Sequence, residues 1–183
     1  MLVYISLLRG INVGGNKVIK MADLRTLYES LGFAQVQTLL QSGNVVFSSD
    51  LTDADDIAKR IEASIEAQFG FHSTLFVLTV EDLIAVHDQN PFAAQSDVDP
   101  SKLLVTFLHA PLSETVIAQY HAKHDGPEIV KSVGKALYIY FPDGMGRSSI
   151  DRNRKLPQIV GTGRNWNTVT KLRDMVLKAV GEG

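Results

Sequence analysis

Over the first 79 residues the spacing of apolar side chains changes in the order two, 3.6, two, two, 3.6, two, and this order restricts the fold more than composition does. LVYISLLRG, from Leu2 to Gly10, sets Val3, Ile5 and Leu7 on one side and Tyr4, Ser6 and Leu8 on the other, which predicts a strand covered on both faces. Met21, Leu24, Leu27, Tyr28 and Leu31 recur at three- and four-residue intervals, so an amphipathic helix is expected there, stopped by Gly32. Val36 to Gln41 and Val45 to Ser48 predict a hairpin turning at Ser42-Gly43-Asn44. A second helix is expected with Thr52 as its N-cap, Ile57, Ile61 and Ile65 as its buried stripe and Gly70 as its stop, and Phe71 to Thr79 then reads as a strand. The resulting β-α-β-β-α-β order is that of a ferredoxin-like plait.

Weaker traces of the same order follow. Thr79 caps a helix from Val80 to His87, an acidic linker runs from Gln95 to Pro100, and Leu103 to His109 predicts a strand. An N-capped helix from Ser113 to His124 and a hairpin around Gly134, from Glu128 to Phe141, complete a second β-α-β-β. A basic helical stretch broken by Pro157 and a final helix from Trp166 to Val180 are expected beyond it, with the last strand weak or replaced by helices. The fold expectation is therefore α+β: two ferredoxin-like α-β plait halves, residues 1–79 and 80–183, the second a variant with extra C-terminal helices. Because its strands are apolar on both sides, the uncovered sheet surface should pack on the other half or on a second chain, which makes a homodimer possible.

Composition narrows the chemistry. With no cysteine among 183 residues, disulfides, thiolate zinc sites, iron–sulfur clusters and cysteine nucleophiles are excluded. No apolar run approaches the roughly 20 residues of a membrane helix, and Arg9 interrupts the opening run where a secretory leader would continue. A cytoplasmic location away from membranes is the expectation. The net charge of -2 conceals a segregation: residues 1–20 hold three bases and no acid, residues 21–143 hold seven bases and 17 acids, and residues 144–183 hold eight bases and three acids. Two basic ends would concentrate positive potential if the fold brought them together.

Three segments stand out as candidate sites. In RGINVGGNKV, residues 9–18, the amides of Gly14 and Gly15 and the charges of Arg9, Lys17 and Lys20 suit an anion at a strand-to-helix junction, although a tight crossover needs flexible residues too. It is no Walker A loop, because Asn16 precedes Lys17 and Val18 replaces the hydroxyl residue that holds magnesium. Gln41 to Asn44 reads first as a turn, with Asn44 also able to present an amide to a ligand. In Arg164-Asn165-Trp166-Asn167-Thr168, Asn165 or Asn167 is the expected N-cap and Trp166 a core anchor, while Arg164 fits an anion shared with the free amides of the last helix. His121, His124 and Asp125 offer only a weak metal-ligand pattern, so no metal and no cofactor is expected. Tyr4, Phe47, Tyr138 and Tyr140 on strands would suit base stacking, yet the basic signature of RNA-recognition domains is missing and nucleic acid is an unfavoured partner.

RGINVGGNKVIKMADLRTLYESLGF, LQSGNVVFSS and the terminal RNWNTVTKL together resemble the bacterial family known as domain of unknown function 1697, over residues 2 to about 178. The resemblance implies two linked α-β plait halves and hands over no activity or catalytic residue. Its signature falls on Arg9, Gly10, Asn12, Gly14, Gly15, Ser42, Gly43, Asn44 and on Arg164 to Thr168, and residues 80–143 carry little of it.

The functional expectation is one polar site for a small anionic or phosphorylated ligand, at which the three segments converge. Arg9, Lys17 and Arg164 would hold the anion, Gly14 and Gly15 would cradle it, and Asn12, Asn44 and Asn167 would orient it. None of the three segments supplies a His, Asp or Glu to act as a base, which favours binding over catalysis. The alternatives are an interaction module whose signature residues are architectural, or single-stranded nucleic-acid binding.

Overall fold

The structure, a computed structural model, describes residues 1–124, 126–148, 150 and 158–181. These residues form two four-stranded antiparallel sheets and five α-helices, an α+β fold divided into two units. The first unit comprises Met1–Ile84 and Lys171–Gly183, the second Ala85–Thr170.

In the first unit β1 (Leu2–Leu8), α1 (Met21–Ser30), β2 (Ala34–Leu39), β3 (Asn44–Ser49), α2 (Ala54–Phe69) and β4 (Leu75–Thr79) follow one another, and the strands lie in the order β2-β3-β1-β4. β1 is internal, paired with β3 from Leu2↔Ser49 to Leu7↔Asn44 and with β4 from Tyr4↔Thr79 to Leu8↔Leu75. Tyr4, Leu8, Val45, Phe47 and Leu75 form one cluster with Leu24, Leu27 and Tyr28 of α1 and Ile57, Ile61 and Ile65 of α2. Ile5, Leu7, Val46 and Phe76, of alternate parity, are buried too, so these strands are covered on both faces as their apolar runs predict. The Phe47 ring lies edge-on to Tyr28 at 5.3 Å and 4.8 Å from Phe33. Burial raises the Tyr28 phenol well above its usual range, against the opposing pull of its 2.7 Å hydrogen bond with Ser6.

Local corrections follow from particular side chains. The α2 cap is Asp53, whose carboxylate accepts from the amides of Asp55 and Asp56, in place of the expected Thr52. β2 begins two residues earlier than expected, because Gln35 takes φ +52° and the pairing register shifts between Ala34 and Gln37. β4 begins at Leu75 instead of Phe71, since His72 and Ser73 bond across to the loop after β1.

In the second unit β5 (Leu103–Leu108), α4 (Glu114–Lys123), β6 (Ile129–Val133), β7 (Ala136–Tyr140) and β8 (Gly161–Asn165) make a sheet in the order β6-β7-β5-β8. Leu108, Val130, Leu137, Ile139, Phe141 and Ile150 form its core cluster. A fourth strand thus exists where a weak or missing one was expected. Its GTGRN sequence has no strand propensity to reveal it, but a Cβ on Gly161 would come within 2.6 Å of the Phe107 carbonyl oxygen. The basic stretch expected to be helical, broken by Pro157, lies for the most part outside the described residues.

Two further helices contain the unit boundaries. α3 (Val80–Asp88) opens with reciprocal capping between Thr79 and Asp82, and α5 (Trp166–Gly181) buries Val169, Leu172 and Val176. No described helix is long and apolar enough to cross a membrane.

Candidate functional site

At the end of the first sheet where β1 leaves and β3 enters, the Gly-rich loop is folded as a small hairpin. The Asn12 amide donates to the Lys17 carbonyl at 3.1 Å, Val13 and Asn16 bridge, and Gly14 and Gly15 turn the chain with φ of +67° and +79°. Two consecutive left-handed residues are what a two-residue hairpin turn requires, and glycine takes them without strain. Ile11 and Ile19 are buried at the two ends of the loop, which anchors both legs.

Asn12 fixes the hairpin in place. Its Nδ2 donates to the carbonyls of Ile19 at 2.9 Å and Gln41 at 2.7 Å, and its Oδ1 accepts from the Ile19 amide at 2.9 Å. Asn44 is buried and donates to the Leu39 carbonyl at 2.8 Å and the Ser42 hydroxyl at 3.0 Å, closing the β2–β3 turn. Both amides therefore brace backbone, the task turns select them for. The turn and the loop meet at Gly43, where a Cβ would stand 2.7 Å from Ile11 Cδ1 and from Leu8 Cβ. Only glycine permits that approach.

The cations are arranged around this brace. Arg9 is exposed while its backbone is held by the Thr74 carbonyl at 2.9 Å and the Ser73 hydroxyl at 3.0 Å. Lys17, with φ +54°, donates from Nζ to the His72 carbonyl at 2.7 Å, and Lys20 is exposed at the N-cap of α1. None of the ion pairs among the described residues involves Arg9, Lys17 or Lys20. Ile11, Ile19 and the chain from His72 to Thr74 were absent from the sequence expectation; the isoleucines flanking a polar loop were its one readable signal, since backbone partners leave no mark on composition.

The third segment belongs to the second unit. Arg164 stands just before α5, as expected, but on β8, paired with Val105 and only 7% exposed. Its guanidinium donates to the Thr162 hydroxyl and the Gly163 carbonyl, both at 2.8 Å, and burial lowers its pKa to about 10. The Asn165 Oδ1 accepts from the Asn167 backbone amide at 3.0 Å, and its Nδ2 donates to the Ser101 carbonyl at 2.7 Å, so Asn165 caps α5 and ties it to the residues before β5. Trp166 stacks on His87 at 5.2 Å, and Asn167 is exposed. The structure thus brings the first two segments together within one unit.

Of the strand aromatics, Tyr4, Phe47 and Tyr138 are buried and only Tyr140 is partly accessible, which leaves little platform for base stacking. His124 Nε2 lies 3.2 Å from the Glu128 carboxylate, Asp125 lies outside the described residues, and among those described no group of three His, Asp or Glu is placed to hold a metal.

No curated protein matches the chain. A solved structure, that of a conserved bacterial protein from Streptococcus pneumoniae, is similar over 95% of this chain and 98% of its own, with a TM-score of 0.70 and 24% identity. That likeness is one of fold. Residues 1–138 match the family described as protein of unknown function (DUF1697), a span that takes in the hairpin, the turn at Gly43 and the middle of the chain, and the protein belongs to that family.

Proposed function

We propose that the basic end of the first sheet binds a small anionic, phosphorylated ligand, with Arg9 and Lys17 as its contacts and the exposed amides of Gly14 and Gly15 as further donors. The observation that carries this reading is the pinned hairpin: three hydrogen bonds from one asparagine hold in place a loop that presents cations unmatched by any acid in residues 1–20. Preorganised donors lose little entropy on binding, and charge-assisted contacts to phosphate are the stronger kind. Asn12 and Asn44 act as braces in this reading, not contacts. Arg164 and Asn167 are assigned to the second unit's own architecture, Arg164 holding β8. With no acid or histidine inside the hairpin, the role is binding in the cytoplasm rather than catalysis.

We infer also that residues 1–79 and 80–183 repeat one ferredoxin-like plan. The matching strand orders, β2-β3-β1-β4 and β6-β7-β5-β8, support this.

Calorimetric titration with inorganic pyrophosphate tests the site. Saturable binding is expected, weakened about tenfold or more in R9A/K17A with melting unchanged, a loss of about 1.4 kcal/mol. Absence of saturable binding, or equal affinity in the double variant, overturns the proposal, and so does a double variant that loses its fold, since these cations would then be architectural.

A further inference from the structure

The opposite end of the first sheet, where β1 and β2 begin and β3 and β4 finish, has a different character. It opens into a groove of about 620 Å³, roofed by the last turn of α5, with Val3, Val80, Ala179 and Val180 among its walls. That volume lies within the range of small-molecule sites, and an apolar lining with few polar groups is their usual composition.

Two observations indicate a built site and its occupant. Gln35 on the wall holds a left-handed φ of +52° at the β2 register shift, and its Oε1 accepts from the Ser48 hydroxyl at 2.8 Å, so the regular pairing of the edge strand is broken beside the groove and a side-chain bond spans the break. Glutamine gains nothing locally from that conformation, and strain of this kind concentrates at ligand sites. The second observation is charge. Glu81 is the one charged side chain among the lining residues, and the Met1 ammonium on the rim is paired with Asp50 at 3.6 Å.

We propose that this groove is a binding site for a small apolar molecule bearing a single positive charge, its hydrocarbon part against Val3, Val80 and Val180 and its ammonium at Glu81. The site is separate from the basic hairpin and does not rest on the phosphate reading.

The test is methyl-detected NMR titration of the full chain with octylammonium, octanoate and octanol, each below its aggregation concentration. Saturable shifts confined to Val3, Val80 and Val180 are expected with octylammonium, at least about tenfold tighter than with octanoate. E81Q should bring the amine down to the affinity of octanol, and A179W should abolish binding of the amine. If A179W fails to fold, E81Q and the three probes decide alone. Equal binding of all three probes, a preference for octanoate, shifts scattered over the surface, or line broadening that grows with protein concentration and shows a second copy in the groove would each overturn the proposal.

Discussion

The two sheets share a strand order, yet their helices are bound to them very differently. In the first unit α2 runs for 16 residues and buries Ile57, Ile61 and Ile65, and α1 buries Met21, Leu24, Leu27 and Tyr28. In the second unit α4 has no fully buried residue, and its Val116, Ile117 and Tyr120 are half-exposed. Strand pairing sets the plan of a plait, but the strictness of the apolar stripe decides how firmly its helices are held. The first unit is therefore the rigid support, and the candidate site stands on it.

The sharpest way to break this contrast is by core truncation. I61A on α2 should cost about 2–5 kcal/mol, as Ile-to-Ala changes in packed cores do, whereas V116A on α4 should cost about 1 kcal/mol or less. Denaturant midpoints followed by circular dichroism measure both, and equal losses would erase the distinction.

A matched pair of turns comes next. G43A meets Ile11 and Leu8 at 2.7 Å as well as a φ of +71°, while G134A, in the β6–β7 turn, meets open space at φ +54°. We expect more than about 2 kcal/mol for the first and about 1 kcal/mol for the second. Similar values would mean that the hairpin and the β2–β3 turn are not tightly joined.

The smallest effect at neutral pH is found in the tyrosines. Tyr138 donates to the Val86 carbonyl at 2.6 Å, and burial pushes its pKa up to about 12, while Tyr28 is raised as well. Their folded pKa values exceed those of the unfolded chain, so the stability they contribute is fully present below about pH 10 and is lost as pH rises through about 12. Absorbance titration should show delayed phenolate formation, Tyr28 ionising only as the first unit opens. An ordinary midpoint for Tyr138 would show that the second unit is looser still.

Much of the fold was legible wherever a single period ran without interruption. The stripe Ile57, Ile61, Ile65 announced α2, and LVYISLL announced a strand buried on both faces. β8 was not legible, because glycines chosen for close approach to β5 and an arginine that donates to Thr162 on its own strand imitate a loop. At the candidate site the residue types were readable and their duties were not. Asn12 and Asn44 resemble ligand amides in sequence, but the carbonyls that occupy them belong to residues as distant in the chain as Gln41, and pairings of that sort leave no local trace.

β2 forms an outer border of its sheet, and a straight border exposes a row of unmet amides and carbonyls that can template the addition of a foreign strand. The left-handed Gln35 and the slipped pairing beside it interrupt that row. The irregularity that adjoins the groove thus also breaks the run of backbone groups that the addition of a further strand would need.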